Sequence, residues 1–302
     1  MKGRYPMTEF PAPPRRRAVP AILFVFALAG LAAAQDQSGT RKESRIDISS
    51  GGTVNVANNA GSVNLKPAAG RQLVIAYTAH SNKVEVDQES TVDKRRIDLR
   101  THALADQKPA ADEAKVDYEI GVPQGVSITI TTSTAPITAD GLSGGDISLE
   151  SDTGQLTASN IARSHLHVQS VAGSVHLSNL NLDYVDVSTT SGAIALANVN
   201  GPKVKIASGN GNITYQGECS GAGDYAFSTH SGNIDMTLPQ TASLDLTARS
   251  ASGGVENDFP LQPRKHSSFP VKQGSSFAGT SNSGLSSVEL RSISGRIRVK
   301  KQ

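Results

Sequence analysis

Gly154-Gln-Leu-Thr-Ala158, Gly173-Ser-Val-His-Leu177, Gly192-Ala-Ile-Ala-Leu196 and Gly211-Asn-Ile-Thr-Tyr215 repeat one phrase at steps of 19 residues. Each phrase starts with glycine and continues with apolar residues two and four positions later, which is the alternation of a β-strand with one buried face. Ala135 holds the equivalent place one step earlier. Self-similarity at a fixed period of this length predicts a stacked array of structural repeats.

The repeat continues towards the C-terminus with a slightly longer step. Gly232 and Gly253 follow at steps of 21, and Gly295 lies 42 further on, which is twice 21. A second apolar pair lies seven and five residues before each glycine. These pairs are Ile128/Ile130, Ile147/Leu149, Leu166/Val168, Val185/Val187, Val204/Ile206, Tyr225/Phe227, Leu246/Ala248 and Val288/Leu290. Each unit therefore contains two short strands.

We predict an all-β fold, a β-solenoid with one coil of about 19–21 residues per repeat. An antiparallel β-sandwich is the alternative, since short strands with regular turns are typical of that fold as well. The constant register of the apolar columns favours the solenoid, because hairpin sheets do not require a fixed spacing. The glycine corners are predicted to need either a left-handed φ or a close backbone approach. Asn160, Asn179 and Asn198 mark a second bend and are predicted to hydrogen-bond from coil to coil.

Residues 1–34 have the pattern of a signal peptide. Arg15, Arg16 and Arg17 precede an apolar run, and Ala32-Ala33-Ala34 fits a cleavage site before Gln35. Export to the periplasm, the cell envelope or the extracellular space is the expectation, with cleavage after Ala34. An uncleaved anchor is the alternative, because the apolar run is near the minimum length of a membrane span.

The rest of the chain divides into two predicted regions. Residues 35–122 alternate like strands with less regular spacing, and residues 123–302 hold the solenoid repeats. Residues 257–287 interrupt the repeats and are predicted to form a long loop insertion. Phe259, Phe269 and Phe277 lie in this insertion and are predicted to cover an open side of the core.

Charge and composition exclude several classes of protein. The predicted signal peptide contains five of the 29 basic and one of the 27 acidic residues, so the remainder carries 24 against 26, a net charge of −2. No nucleic-acid partner is therefore expected. Cys219 is the single cysteine, which excludes an intrachain disulfide and a cysteine metal motif. Aromatic residues make up 4% of the chain and tryptophan is absent, so stacking platforms for sugars or bases are scarce.

Three segments resemble the DUF4097 family of bacterial β-strand repeat proteins, whose members are regarded as candidate adhesins. They are Val116-Asp-Tyr-Glu-Ile-Gly-Val-Pro-Gln-Gly-Val126, Gly254-Val-Glu-Asn-Asp-Phe-Pro260 and Ser287-Val-Glu-Leu-Arg-Ser-Ile-Ser-Gly-Arg-Ile-Arg-Val299. The resemblance covers residues 46 to 300 and implies an exported or envelope-facing protein. It supplies no catalytic motif. Ala135-Pro136 departs from the Ser-Gly expected there.

One group of polar residues is a candidate for chemistry. If the 19-residue register holds, Asp146, His165, His167 and Asp186 lie together on the outer face of three adjacent coils. Such a set is able in principle to bind Zn²⁺. The interpretation we favour is ordinary cross-strand pairs in two charge-alternating columns, one of Ser148, His167, Asp186 and Lys205 and the other of Asp146, His165, Tyr184 and Lys203. We therefore predict no catalytic residue, no cofactor and no resident metal.

The sequence thus predicts a non-enzymatic, exported β-repeat protein that acts as an adhesin, a binding module or a scaffold. Its expected partner is an unidentified protein or surface polymer, with membrane contact only through an uncleaved N-terminal segment. Two alternatives remain open. One is a carbohydrate-active β-helix enzyme or metal-binding surface protein that uses the histidine and aspartate patch, since β-helices also host such chemistry. The other is a regulatory component that senses envelope stress.

Overall fold

The computed structural model describes residues 39–219, 221–262 and 275–302. The predicted signal peptide and Phe269 lie outside these residues. Within them the chain forms 24 β-strands and no α-helix. In chain order the strands are β1 (Thr40–Asp47), β2 (Thr53–Asn58), β3 (Gly61–Pro67), β4 (Gln72–Ala79), β5 (Val84–Ser90), β6 (Arg96–Ala103), β7 (Val116–Val122), β8 (Ser127–Thr132), β9 (Ile137–Asp140), β10 (Asp146–Ser151), β11 (Leu156–Ser159), β12 (His165–Ser170), β13 (Val175–Asn181), β14 (Tyr184–Thr189), β15 (Ile194–Asn200), β16 (Lys203–Ser208), β17 (Ile213–Gln216), β18 (Asp224–Thr229), β19 (Ile234–Leu238), β20 (Leu244–Ser250), β21 (Val255–Asn257), β22 (Ser276–Ser281), β23 (Ser286–Ser292) and β24 (Ile297–Lys301).

The strands form two sheets of twelve. Sheet A has the order β1-β4-β7-β3-β9-β11-β13-β15-β17-β19-β24-β21, and sheet B has the order β22-β20-β23-β18-β16-β14-β12-β10-β8-β2-β6-β5. Successive coils contribute one strand to each sheet, and neighbouring coils pair in parallel. The predicted β-solenoid is therefore confirmed. The antiparallel sandwich is excluded for the repeats, because β8 to β19 pair with their neighbours in parallel.

The 19-residue period sets the register between coils. Val175 pairs with Ile194 and Ile194 pairs with Ile213, so equivalent apolar residues stack into continuous columns. These side chains are at most 1% exposed. Burial of each such side chain stabilises the fold by about 1.5–3 kcal/mol. The core is the space between the two sheets, filled by these columns from both sides.

The glycine corners provide close approach rather than a left-handed backbone. The repeat glycines have no positive φ, whereas Asn160, Asn179 and Asn198 at the other bend have φ of 53–55°. A Cβ atom on Gly192 would overlap the carbonyl oxygen of Gly173 in the previous coil. Of the two predicted roles of the corner glycine, the structure selects the second. The predicted asparagine ladder is confirmed, since Asn198 Nδ2 donates to Asn179 Oδ1 at 3.3 Å.

A buried hydroxyl lies three residues before each corner glycine. In the central coils Gly192 N donates to Thr189 Oγ1 at 2.9 Å, and Gly211 N donates to Ser208 Oγ at 2.8 Å. The hydroxyl thereby satisfies a backbone donor that the corner turns away from the neighbouring strand. The residues of this column are Thr132, Ser151, Ser170, Thr189, Ser208, Thr229, Ser250 and Ser292.

The stacking order departs from the chain order at both ends. Strand β2 pairs with β8 and β6, so residues 53–67 form an interior coil and continue the stack of the predicted repeat region. Strand β23 pairs with β18 and β20, so the last coil lies between two coils that precede it in the chain. Gly295 accordingly stacks between Gly232 and Gly253.

The range predicted as a loop, 257–287, contains a strand. Strand β22 pairs antiparallel with β20 and covers its free edge, which explains why a segment rich in serine is ordered there. Phe259 is buried and Phe277 packs against the core, as predicted for these two residues. No helix of the described ranges is long and apolar enough to cross a membrane.

Candidate functional site

The outer face of sheet B is an even surface of the repeats. Strands β8, β10, β12, β14, β16 and β18 each have six residues, whereas the strands of sheet A between them vary from four to seven. Alternate side chains point away from the core, so every coil presents three residues outward at this face. These outward positions are mostly polar or charged, and they form columns that run along the stack.

The four residues of the predicted patch lie on three adjacent strands of this face. Asp146 on β10 pairs with His165 on β12, and His167 on β12 pairs with Asp186 on β14. This is the arrangement that the 19-residue register predicted. His165 and Asp146 are exposed, while His167 and Asp186 are partly covered by their neighbours.

The contacts divide the patch into separate pairs. His165 Nδ1 lies 3.0 Å from Asp146 Oδ1. Asp186 Oδ2 accepts a hydrogen bond from the Tyr184 hydroxyl at 3.3 Å and lies 3.6 Å from Lys205 Nζ. Asp186 is thus directed towards a lysine of the next coil. In the part of the chain that the structure describes, the patch brings no three ligand atoms within 4.8 Å of one another.

Tyr184 lies next to His165 in the column of Asp146, His165, Tyr184 and Lys203. The rings of His165 and Tyr184 are 6.4 Å apart and nearly perpendicular, and Lys203 Nζ lies 5.6 Å from the centre of the Tyr184 ring on the other side. Partial desolvation and the nearby Asp186 carboxylate raise the pKa of Tyr184. The phenol therefore remains protonated at neutral pH and is able to donate a hydrogen bond.

A shallow cleft of about 300 Å³ lies on the same face near its β5 edge. Asp98 accepts hydrogen bonds there from Asn55 at 2.7 Å and from Arg96 at 2.8 Å. Partial burial alone would raise the pKa of Asp98, but the bonds from Arg96 and Asn55 outweigh it and lower the pKa. Asp98 is therefore charged, and its carboxylate is already hydrogen-bonded within the protein. Sequence reasoning missed this cleft, because most of its residues lie in the irregular region where the period gives no register.

The β5–β6 hairpin also carries a potential metal ligand set that the sequence pattern missed. Glu85, Asp87 and His102 each offer one ligand atom, and these atoms lie within 4.8 Å of one another. Glu85 and Asp87 lie on β5, and His102 joins them only because β5 and β6 pair antiparallel.

Cys219 is not an activated nucleophile. Burial raises the pKa of its thiol to about 12, so the reactive thiolate is not populated at neutral pH. The thiol packs beside the core, next to Tyr215. Its surroundings identify it as a structural residue.

The parallel two-sheet stack, the asparagine bends and the open polar face define a β-solenoid repeat protein. The profile of one family, described as Toastrack DUF4097, matches residues 37–300. The chain therefore belongs to the DUF4097 family, as its sequence motifs indicated. No curated protein matches the chain.

Three solved structures are similar to the chain at low identity. A candidate adhesin from Bacteroides fragilis NCTC 9343 is 12% identical, with a TM-score of 0.45, and the match covers 87% of this chain and 97% of that one. A candidate cell adhesion protein from Clostridium sporogenes ATCC 15579 is 14% identical, with a TM-score of 0.30 and coverage of 87% and 100%. A candidate lipid binding protein from Parabacteroides distasonis ATCC 8503 is 12% identical, with a TM-score of 0.37 and coverage of 87% and 97%.

Proposed function

We propose that this chain is an exported, non-enzymatic binding module that contacts a protein or polymer of the cell surface through the outer face of sheet B. The observation that carries the proposal is the column formed by His165, Tyr184 and Lys203 at the middle of that face. It combines an aromatic ring, a hydrogen-bond donor and a cation on an open surface.

The side chains of this column are suited to recognition. Tyrosine supplies a large, stiff contact area with a polar tip, and it is enriched among the residues that dominate binding energy at interfaces. Tyr118, Tyr215 and Tyr225 are buried in the core, so their rings serve the fold. Tyr184 projects from the outer face instead and remains partly exposed. It is therefore the tyrosine of the central coils that is available to a partner.

The charges of the face favour a partner that carries both positive and negative groups. Asp146 lies at one end of the column and Lys203 at the other, with Lys205 beside it. The ion pairs here are largely exposed, so they contribute little to stability and are free to exchange for contacts with a partner. Rigid β-strands hold these groups at a fixed spacing, which lowers the entropic cost of binding an extended ligand.

We expect Tyr184→Ala to weaken binding of the purified full-length chain to envelope fractions of the producing bacterium by about tenfold or more. The measurement is a solid-phase binding isotherm with labelled protein. His176→Ala is the matched control, because His176 is an exposed histidine on the outer face of sheet A. Equal binding by wild type and Tyr184→Ala would contradict the proposed surface. Loss of binding in His176→Ala alone would show that the partner contacts sheet A instead.

Export is part of the proposal and rests on the N-terminal pattern. Protein recovered from outside the cytoplasm is expected to begin at Gln35, and replacing Ala32 and Ala34 with bulky residues is expected to leave the precursor uncut. N-terminal sequencing of the fractionated protein measures this. An intact N-terminus on membrane-associated protein would favour the anchor instead.

A further inference from the structure

The β5–β6 hairpin ends sheet B on one side and carries three potential metal ligands on its outer face. Strand β5 pairs only with β6 in sheet B, and Glu85 lies directly opposite His102 in that antiparallel pair. Asp87 is two residues from Glu85 along the same strand. Because alternate residues of a strand share a face and opposite residues share it too, the three side chains project to the same side.

The distances among the three groups match a small coordination site. His102 Nδ1 lies 3.4 Å from Asp87 Oδ2, and the ligand atoms of all three residues lie within 4.8 Å of one another. A tetrahedral Zn²⁺ ion with bonds near 2.1 Å separates its ligand atoms by about 3.4 Å. The histidine and Asp87 already have that separation, and a rotation of the exposed Glu85 side chain brings the third ligand to it.

The two carboxylates of the cluster have few charged partners. Within residues 39–219, 221–262 and 275–302, the Glu85 side chain makes no hydrogen bond or ion pair, and the Asp87 side chain forms an ion pair only with His102. Arg100 lies across from Asp87 in the strand pairing without a hydrogen bond between them. Other acids of this region have basic partners, since Asp98 pairs with Arg96, and Glu113 forms an ion pair with Lys83 at 2.7 Å.

We infer that Glu85, Asp87 and His102 form a binding site for a divalent transition metal, with Zn²⁺ as the preferred ion. One imidazole nitrogen and two carboxylate oxygens form a donor set that Zn²⁺ accepts, whereas Ca²⁺ and Mg²⁺ prefer oxygen ligands alone. The three protein ligands leave one coordination position open to solvent. A bound ion ties the edge strand β5 to β6 and neutralises two like charges on alternate positions of one strand.

Zn²⁺ titration of the metal-stripped full-length chain by isothermal calorimetry tests the site. We expect one binding event in the wild type, weakened about tenfold or more by His102→Ala and by Glu85→Gln. Addition of Zn²⁺ is also expected to raise the Tm of the wild type but not of His102→Ala, since a ligand that binds the folded state stabilises it. All three positions are partly or fully exposed, so the variants are expected to fold.

His165→Ala is the matched control, because His165 also faces an aspartate on the outer surface of sheet B, at 3.0 Å. This variant is expected to bind Zn²⁺ like the wild type. Absence of Zn²⁺ binding in the wild type would overturn the inference. Binding that survives His102→Ala, or that depends on His165 instead, would overturn it too, because the ion would then be held elsewhere.

Discussion

Replacing Ile194 with aspartate is expected to unfold the central coils of the solenoid. Ile194 is 1% exposed and stacks between Val175 and Ile213 in one of the apolar columns. The substitution removes about 1.5–3 kcal/mol of apolar burial. It also places a charge between two sheets that offer it no partner, and the summed cost is above about 5 kcal/mol. The measurement is a thermal melt followed by circular dichroism, and the expected result is loss of the cooperative transition.

The control for this experiment is Ala197→Asp, three residues further along the same strand. Ala197 is exposed on the outer face of β15, so the added carboxylate stays in water. The Tm of the Ala197→Asp variant is expected to remain within a few degrees of the wild-type value, because exposed substitutions change stability by about 0.5 kcal/mol or less. A normal Tm for Ile194→Asp would show that the assigned register of the apolar columns is wrong.

The regular part of this fold follows directly from the sequence. A parallel stack repeats the same backbone environment every coil, so residues such as Val175, Ile194 and Ile213 must recur at the coil length. The same logic predicts Asp146 beside His165 on the outer face, where the two residues pair. Periodicity reports the register between coils that follow one another in the chain.

Periodicity does not report which coils become neighbours when the chain leaves the stack and returns. Strand β23 enters between β18 and β20, and β2 enters between β6 and β8, so spatial order and chain order differ at both ends. These insertions depend on long-range pairing, which single-sequence patterns do not encode. The inferred metal site belongs to this part of the molecule, because antiparallel pairing of β5 with β6 brings His102 to Glu85.

The sequence also left the role of the corner glycines open between two physical causes. Both a left-handed φ and a close backbone approach select glycine, so composition alone does not separate them. The backbone angles separate them, since the glycines at this corner have no positive φ and Asn179 at the opposite bend has a φ of 53°. The two corners of each coil therefore select their residues by different mechanisms.

Gly192→Ala is expected to destabilise the solenoid by about 3 kcal/mol or more, although the change adds one methyl group. The new Cβ atom would overlap the Gly173 carbonyl oxygen. Relief would require the two coils to separate at this corner. Backbone hydrogen bonds on either side hold them together, from Ser191 N to Val171 O and from Val175 N to Ala193 O, both 2.9 Å.

The Tm of Gly192→Ala is expected to fall by about 10 °C in a thermal melt. Gly254→Ala is the matched control, since a Cβ atom on Gly254 meets no atom within 4 Å and its φ is not positive. That variant is expected to equal or slightly exceed wild-type stability, because alanine restricts the unfolded chain more than glycine does. If both alanine variants melted like the wild type, close approach would not be what selects glycine at the corner. Alanine would then be acceptable at the corner of every coil, as it is at Ala135 in the first repeat.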